Sequence, residues 1–324
     1  MRWWSSRAGA RDVRPYLCLV ALLGCQPSDD SAAVVVTPAV GSVATQNAGT
    51  TTYLDLVADS PSEDVREVCS SWYSNNLCVD ETELQLAEAV AGETPDLLFL
   101  QEMWNQAHCD DDDRPAEVNQ APFVCSLGSD LQPSRVLPGD WWWGCAGGYP
   151  DNCIAFPPSL ATPSGCEGQD CSALVVSNEA GCGDTGRVAY WELDSADGPL
   201  VAVVVHTAAG MFEDDIACRV QQLESIQAVL EALPADTSIV MAGDFNLDPD
   251  LYVSDDAAAF SSLGSSLGLS WLGGYDESHR ISHVRLDHVL VRGPAVAQKM
   301  SCEIRYLDEG QEDVMLDHGW LMCR

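Results

Sequence analysis

The chain has 324 residues, 46 % of them apolar, which is enough to bury one large core, and outside the N-terminus no run is long and apolar enough to span a bilayer. Fifty acidic residues stand against fifteen basic ones, for a formal net charge of −35. Such a surface repels polyanions over a Debye length, which argues against a protein that tracks along nucleic acid through a basic stripe.

Arg2, Arg7, Arg11 and Arg14 precede a short apolar run, Tyr16 to Leu23, that closes on Leu22-Leu23-Gly24-Cys25. This is the pattern of an export signal ending in a lipobox. Residues 1–25 are thus expected to be a lipoprotein signal peptide, with Cys25 becoming the lipidated end that holds an exported protein to a bacterial membrane, facing the periplasm or the cell exterior. Residues 26–40, opening Gln26-Pro27-Ser28-Asp29-Asp30, read as a polar linker, and 41–324 as a single, monomeric domain. Without the signal, the chain carries one lysine, Lys299, and ten arginines scattered from Arg66 to Arg324.

From Gly41 onward, strand-like and helix-like runs alternate without a fixed repeat. Ser42 to Leu56 reads as a strand carrying Gln46-Asn47, Glu81 to Ala91 as an amphipathic helix, and Pro95 to Leu100 as a buried strand leading to Gln101-Glu102. Residues 103–186 are rich in Cys, Pro, Gly and Asp and read mostly as loop, with short strands at Cys153 to Phe156 and Ala173 to Ser177. Strands follow at Arg187 to Leu193 and Leu200 to Val205, then a helix from about Asp214 to Leu233 and the buried strand Ser238 to Ala242, ending on Gly243-Asp244-Phe245-Asn246. Leu286 to Val291 and Val314 to Arg324 close the chain.

Of fourteen cysteines, twelve lie beyond Cys25, an even number suited to disulfides in an oxidising compartment, and their spacings lack the paired C-x-x-C of a zinc site. Cys302 with Cys323 is the first bridge expected and Cys69 with Cys78 the next.

Polar side chains recur at the ends of apolar strands: Asn47, Glu102, His206, Asp244 with Asn246, Asp287, and Asp317 with His318. Loops at strand ends bring such groups into one crevice. Carboxylates and amides there suit a hard cation, Mg²⁺ or Mn²⁺ with Ca²⁺ as an alternative, while imidazoles move protons near neutral pH. The ordered segments Thr45-Gln46-Asn47, Leu98-Phe99-Leu100-Gln101-Glu102, Val205-His206-Thr207, Ala242-Gly243-Asp244-Phe245-Asn246, Arg285-Leu286-Asp287-His288-Val289 and Leu316-Asp317-His318 resemble the motifs of the endonuclease/exonuclease/phosphatase superfamily.

That resemblance implies a four-layered α/β sandwich: two packed, mainly antiparallel sheets flanked by helices. It implies hydrolysis of a phosphate ester by in-line attack of water. Glu102 would be the principal metal ligand, with Asn47 beside it and Asp317 as a second contact. Asp244 would orient or deprotonate the water, and Asn246 would hold a phosphate oxygen. His318 would be the essential histidine, steadied by Asp287, and His206 would face the leaving oxygen. Many members carry a glutamate before the strand that begins here at Cys153; this chain has Asp151-Asn152, which leaves the support of His206 open. His288 is expected on the opposite face of its strand as a structural residue, and His279 and His283 in a solvated loop. Asp110 to Asp113 could cup calcium but read as a solvated acidic run, and Trp141-Trp142-Trp143 as packing beneath a disulfide-rich loop. The scarcity of cations favours a lipid headgroup or small phosphodiester over long nucleic acid. A secreted nuclease is the alternative, and a non-catalytic surface lipoprotein on the same fold a further one.

Overall fold

In chain order the computed structural model has β1 (Val43–Asn47), β2 (Ser70–Trp72), β3 (Asn75–Leu77), α1 (Val79–Glu93), β4 (Leu97–Gln101), α2 (Gln132–Val136), β5 (Trp142–Cys145), β6 (Cys153–Phe156), β7 (Ala161–Pro163) and β8 (Leu174–Val175). It continues with β9 (Val188–Ser195), β10 (Gly198–His206), α3 (Glu213–Glu231), β11 (Ser238–Asp244), α4 (Asp255–Leu267), β12 (Ser270–Trp271), β13 (Asp287–Arg292), β14 (Cys302–Arg305) and β15 (Trp320–Cys323). The structure describes residues 38–49, 70–72, 75–77, 79–103, 132–146, 152–165, 174–175, 182, 188–251, 254–280, 282–307 and 316–324. The signal, Cys25, Cys69, Cys78, Asp110 to Asp113 and Asp151 lie outside them.

One six-stranded sheet runs β14-β15-β1-β4-β6-β5 and one seven-stranded sheet runs β12-β13-β11-β10-β9-β7, with β8 also on β9. Each sheet is antiparallel except for one parallel pair near its middle, β1 with β4 and β10 with β11. The mainly antiparallel sandwich expected from the sequence is therefore what the chain forms.

Side-chain alternation along the strands builds the layers. Val43, Leu97, Phe99 and Ile154 of the first sheet meet Leu200, Ala202, Val204, Val240 and Val289 of the second in a fully buried middle layer. The residues between them face outward. Ala44, Leu98 and Leu100 receive Leu86 and Val90 of α1, while Val201, Val203 and Val205 receive Leu223 and Ile226 of α3 and Phe260 and Leu263 of α4. Strands buried on both faces explain why β10 and β11 read as unbroken apolar runs. Each such Val, Leu or Phe contributes roughly 1.5–3 kcal/mol by leaving water.

The expected elements differ from the observed ones in several places, the short strands β2, β3 and β12 among them. Helix α4 and the short helix α2 are additional, and α4 was hidden because Ser and Gly fill its solvent face. Its stripe of Ala257, Phe260, Leu263 and Leu267 keeps helical spacing, and it ends on Gly268 in the left-handed region at φ 63°. Within the expected loop 103–186, β5 pairs with β6 and β7 with β9, and near the C-terminus β14 pairs with β15. The first and last strands are shorter than expected, ending at Asn47 and starting at Trp320.

Cys302 and Cys323 lie directly opposite on β14 and β15 and are bridged, as expected; Cys145 and Cys153 form the same cross-strand bridge between β5 and β6.

Candidate functional site

Strand direction decides where the polar residues gather. Because β1 and β4 run parallel, Asn47 stands opposite Gln101, one residue before Glu102, at the same end of the first sheet. Likewise His206 stands opposite Asp244, and antiparallel β13 begins at that level with Asp287 opposite Asp244. His318 precedes β15, which runs antiparallel to β1, and Gln46 Nε2 donates to the His318 carbonyl at 3.1 Å. Both sheets thus deliver their polar ends to one edge. Gly243 lets the parallel strands meet there: its φ is 143°, and a Cβ would stand 1.9 Å from the Val205 carbonyl oxygen.

Asp244 Oδ2 is the centre of the group. Asn47 Nδ2 donates to it at 3.2 Å, His318 Nε2 lies at 3.5 Å and His206 Nε2 at 3.9 Å. The same Asn47 nitrogen donates to Glu102 Oε1 at 3.2 Å, and His206 Nε2 is 3.7 Å from that oxygen. Asn47 Oδ1 accepts from the Gly49 amide at 3.0 Å, which turns the NH₂ toward the two carboxylates. Asp244 Oδ1 accepts from the Asn246 amide at 2.7 Å, and Asn246 Nδ2 donates to the Thr207 carbonyl at 3.0 Å. Glu102 and Asn246 both hold left-handed backbone, φ 54° and 50°, a strained conformation for non-glycine residues that the surrounding hydrogen bonds maintain.

Electrostatics follows from burial. Burial pushes the Asp244 carboxyl up to about 7 against the opposing pull of His318. Burial also opposes protonation of His318, but the carboxylates of Asp287 and Asp244 hold it well above the ordinary imidazole value. Its Nδ1 lies 2.7 Å from Asp287 Oδ2. Although burial acts to raise Asp287, the His318 charge and that hydrogen bond bring its carboxyl below the usual range. Glu102 and Asp244 converge on a spot bounded by an amide and two imidazoles. The carboxylate oxygens suit a hard divalent cation such as Mg²⁺ or Mn²⁺.

Asp317 Oδ2 lies 3.8 Å from His279 Nε2, and His279, Asp317 and His318 bring potential ligand atoms within 4.8 Å of one another. The His279 ring packs edge-on against His318 at 4.9 Å, so the solvated-loop expectation fails for this residue, whereas His283 is exposed beside Glu277. His288 is structural, as expected. Its Nε2 lies 2.9 Å from the Leu247 carbonyl, Trp271 Nε1 and Tyr275 Oη lie at 3.2 and 2.8 Å from Nδ1, and burial pushes its pKa down to about 4. Trp142 stacks on Phe156 at 4.8 Å next to the Cys145–Cys153 bridge, the packing role expected of the tryptophan run. Asn152, buried, precedes Cys153, which pairs with Leu100, and so sits at this edge.

The sequence model described as "Endonuclease/Exonuclease/phosphatase family" matches residues 73–308. No curated protein matches the chain. Among solved structures, TDP2 of D. rerio complexed with single strand DNA product is similar at 15 % identity and TM-score 0.52, over 87 % of this chain and 97 % of that one. An endonuclease/exonuclease/phosphatase protein from Beutenbergia cavernae is similar at 16 % identity and TM-score 0.53, over 87 % of this chain and 70 % of that one. The human Nocturnin catalytic domain with bound sulfate anion is similar at 16 % identity and TM-score 0.51, over 89 % and 94 %.

Proposed function

Because the chain belongs to the endonuclease/exonuclease/phosphatase family, we propose that it hydrolyses phosphate esters with a divalent cation, and that its substrate is a lipid headgroup or another small phosphodiester. The observation that carries this reading is the convergence of Asn47, His206 and His318 on one buried oxygen of Asp244, beside Glu102.

Glu102 is the residue placed to hold the cation, and Asn47 would join it through Oδ1 once that oxygen turns from the Gly49 amide; the cation when bound would offset the charge of the scissile phosphate. Asp244, with its carboxyl near 7, accepts the proton of the attacking water as the water oxygen bonds to phosphorus and the ester P–O bond breaks in line. Asn246 spends one amide hydrogen on Thr207 and offers the other to a phosphate oxygen. His318, charged and aimed by Asp287, stabilises negative charge on the phosphate, and His206 gives a proton to the leaving oxygen. Asp317 stands outside this sequence of steps as a candidate second metal contact.

The lipobox at Cys25 supports an exported, membrane-anchored protein. The choice of a small substrate rests on charge: one lysine and ten dispersed arginines after residue 25 offer little with which to hold a polyanion. A nuclease is the second reading, favoured by the single strand DNA product held by the D. rerio relative. The test is a panel of plasmid, single-stranded DNA, phosphocholine lipid and an aryl phosphodiester with Mg²⁺, Mn²⁺ or Ca²⁺, against Asp244→Ala. Salt-sensitive cutting of plasmid alone would replace the small substrate with nucleic acid. No metal-dependent turnover of any member would leave the non-catalytic reading.

A further inference from the structure

Among the described residues, four large apolar side chains are strongly exposed, and three of them sit on two loops that leave the catalytic edge: Met211 at 71 %, Phe212 at 82 % and Leu251 at 55 % (the fourth is Leu84, at 52 %). Met211 and Phe212 follow β10 by way of Thr207 to Gly210, and Leu251 follows β11 by way of Asp248 to Asp250. The β10 loop is held rigidly in this outward position. Arg219 of α3, buried, donates from Nη1 to the carbonyls of Ala208 at 2.9 Å and Gly210 at 2.7 Å, and its Nε donates to Asp256 at the start of α4 at 2.7 Å. Gln222 Oε1 accepts from the Ala208 amide at 2.8 Å, and the Phe212 amide donates to Asp215 at 3.0 Å. Gly210, at φ 105°, makes the turn that places the two side chains outside. A buried ion pair and four hydrogen bonds therefore hold in water an apolar tip that the core does not use, and such a tip marks a contact surface.

We propose that Met211, Phe212 and Leu251 form an interfacial tip that inserts into a zwitterionic, phosphocholine-bearing lipid surface and so presents the catalytic edge to substrate in that surface. The inference deepens the lipid-headgroup reading above and rests on it for the substrate. Three side chains offer only a few hundred Å² of apolar surface, against about 800 Å² on each side of a stable protein interface, so a second copy or a folded partner is poorly matched. Insertion into a bilayer needs no complementary partner surface and scales with the apolar area of a few large side chains. Charge selects the lipid. Exposed Glu213 and Asp214 follow Phe212 directly in the chain, and anionic headgroups would be repelled by them where the outward quaternary ammonium of phosphocholine would be met; Asp250, beside Leu251, is already paired with Arg285 at 2.8 Å. The same acidic pair disfavours a nucleic-acid strand as occupant.

The test uses the chain from residue 26 onward, which carries neither the apolar signal nor the acylated Cys25, and its Met211→Ser/Phe212→Ser derivative. Co-sedimentation with phosphatidylcholine vesicles should fall at least about tenfold in the derivative, and binding of the parent to phosphatidylglycerol vesicles should be weaker than to phosphatidylcholine. Hydrolysis of a monodisperse aryl phosphodiester should stay within about twofold, while hydrolysis of a phosphocholine ester presented in vesicles drops at least about tenfold. Equal vesicle binding by parent and derivative, or none by the parent, overturns the proposal. So does a parent that sediments as an oligomer which the double substitution dissolves. If no phosphodiester is hydrolysed at all, the functional reading fails, yet vesicle binding still decides this inference.

Discussion

His318 Nδ1 lies 2.7 Å from Asp287 Oδ2 with both side chains buried, so one hydrogen bond sets the orientation and the charge of the imidazole whose Nε2 faces Asp244. Asp287→Asn should therefore lower the His318 pKa and cut turnover by about a hundredfold or more. Titration of the His318 ring protons by NMR checks the first effect directly; an unchanged pKa would refute the assignment. The pair's stabilisation has a defined window. It is complete between the ordinary carboxyl and imidazole values, fades as pH falls through the lowered value of Asp287, and is lost as pH rises through the raised value of His318.

Turnover should need added divalent metal and stop with chelator, and Glu102→Gln should raise the Mg²⁺ concentration for half-maximal rate at least about tenfold. Asp244→Asn should lower kcat about a hundredfold or more with the far-ultraviolet dichroism unchanged. The acid limb of kcat/KM belongs to deprotonation of Asp244, so activity rises as pH climbs toward about 7, and a bound cation moves that limb lower. Full rates in excess EDTA would remove the metal from the reaction.

His288 makes a separate prediction about acid stability. Folded, it resists protonation until about pH 4, whereas the unfolded chain takes a proton near the ordinary 6.5, so stability falls as pH drops between those values. The loss amounts to about 3 kcal/mol across the window. His288→Ala should be less stable at pH 7 by roughly 2–4 kcal/mol, because Trp271 Nε1 and the Leu247 carbonyl lose their partner and Tyr275 Oη keeps only the Asp287 carbonyl. Its acid sensitivity should nonetheless be shallower. Urea melts at pH 4.5 and 7 measure both.

The middle of the fold was legible because β4, β10 and β11 are buried on both faces and announce themselves as apolar runs closed by a polar residue. The same property placed Asn47, Glu102, His206, Asp244, Asp287 and His318 at strand ends, so their gathering needed only the directions of two parallel pairs. What stayed hidden was of two kinds. Helix α4 carries its apolar stripe among four serines and Gly264, whose low helix propensity masks it and tertiary packing overrides. His279 reaches His318 through a long-range contact between loops, and no local pattern of residues encodes such a contact.

The bridge between Cys302 and Cys323 closes a loop of sequence separation 21, and on a chain-entropy account it contributes about 3 kcal/mol. Cys302→Ser/Cys323→Ser should melt several degrees lower, at roughly 2 °C or more per kcal/mol lost. Peptide mapping of unreduced protein should recover this linkage together with that of Cys145 and Cys153. Free thiols at all four positions in exported material would contradict the oxidising compartment as well as the bridges.

Asn47, Glu102 and His318 ride on one sheet, while His206, Asp244 and Asp287 ride on the other. The catalytic edge therefore works as a calliper whose jaws are the two sheets and whose gap is set by the side chains between them, Phe99, Val204 and Val240 among them. Trimming one of these to alanine would let the jaws settle by a fraction of an ångström, a change the fold tolerates and a 3.5 Å contact between His318 and Asp244 does not. Loss of chemistry should thus precede loss of structure when the middle layer is eroded, and substitutions far from any polar residue would register first as slow turnover.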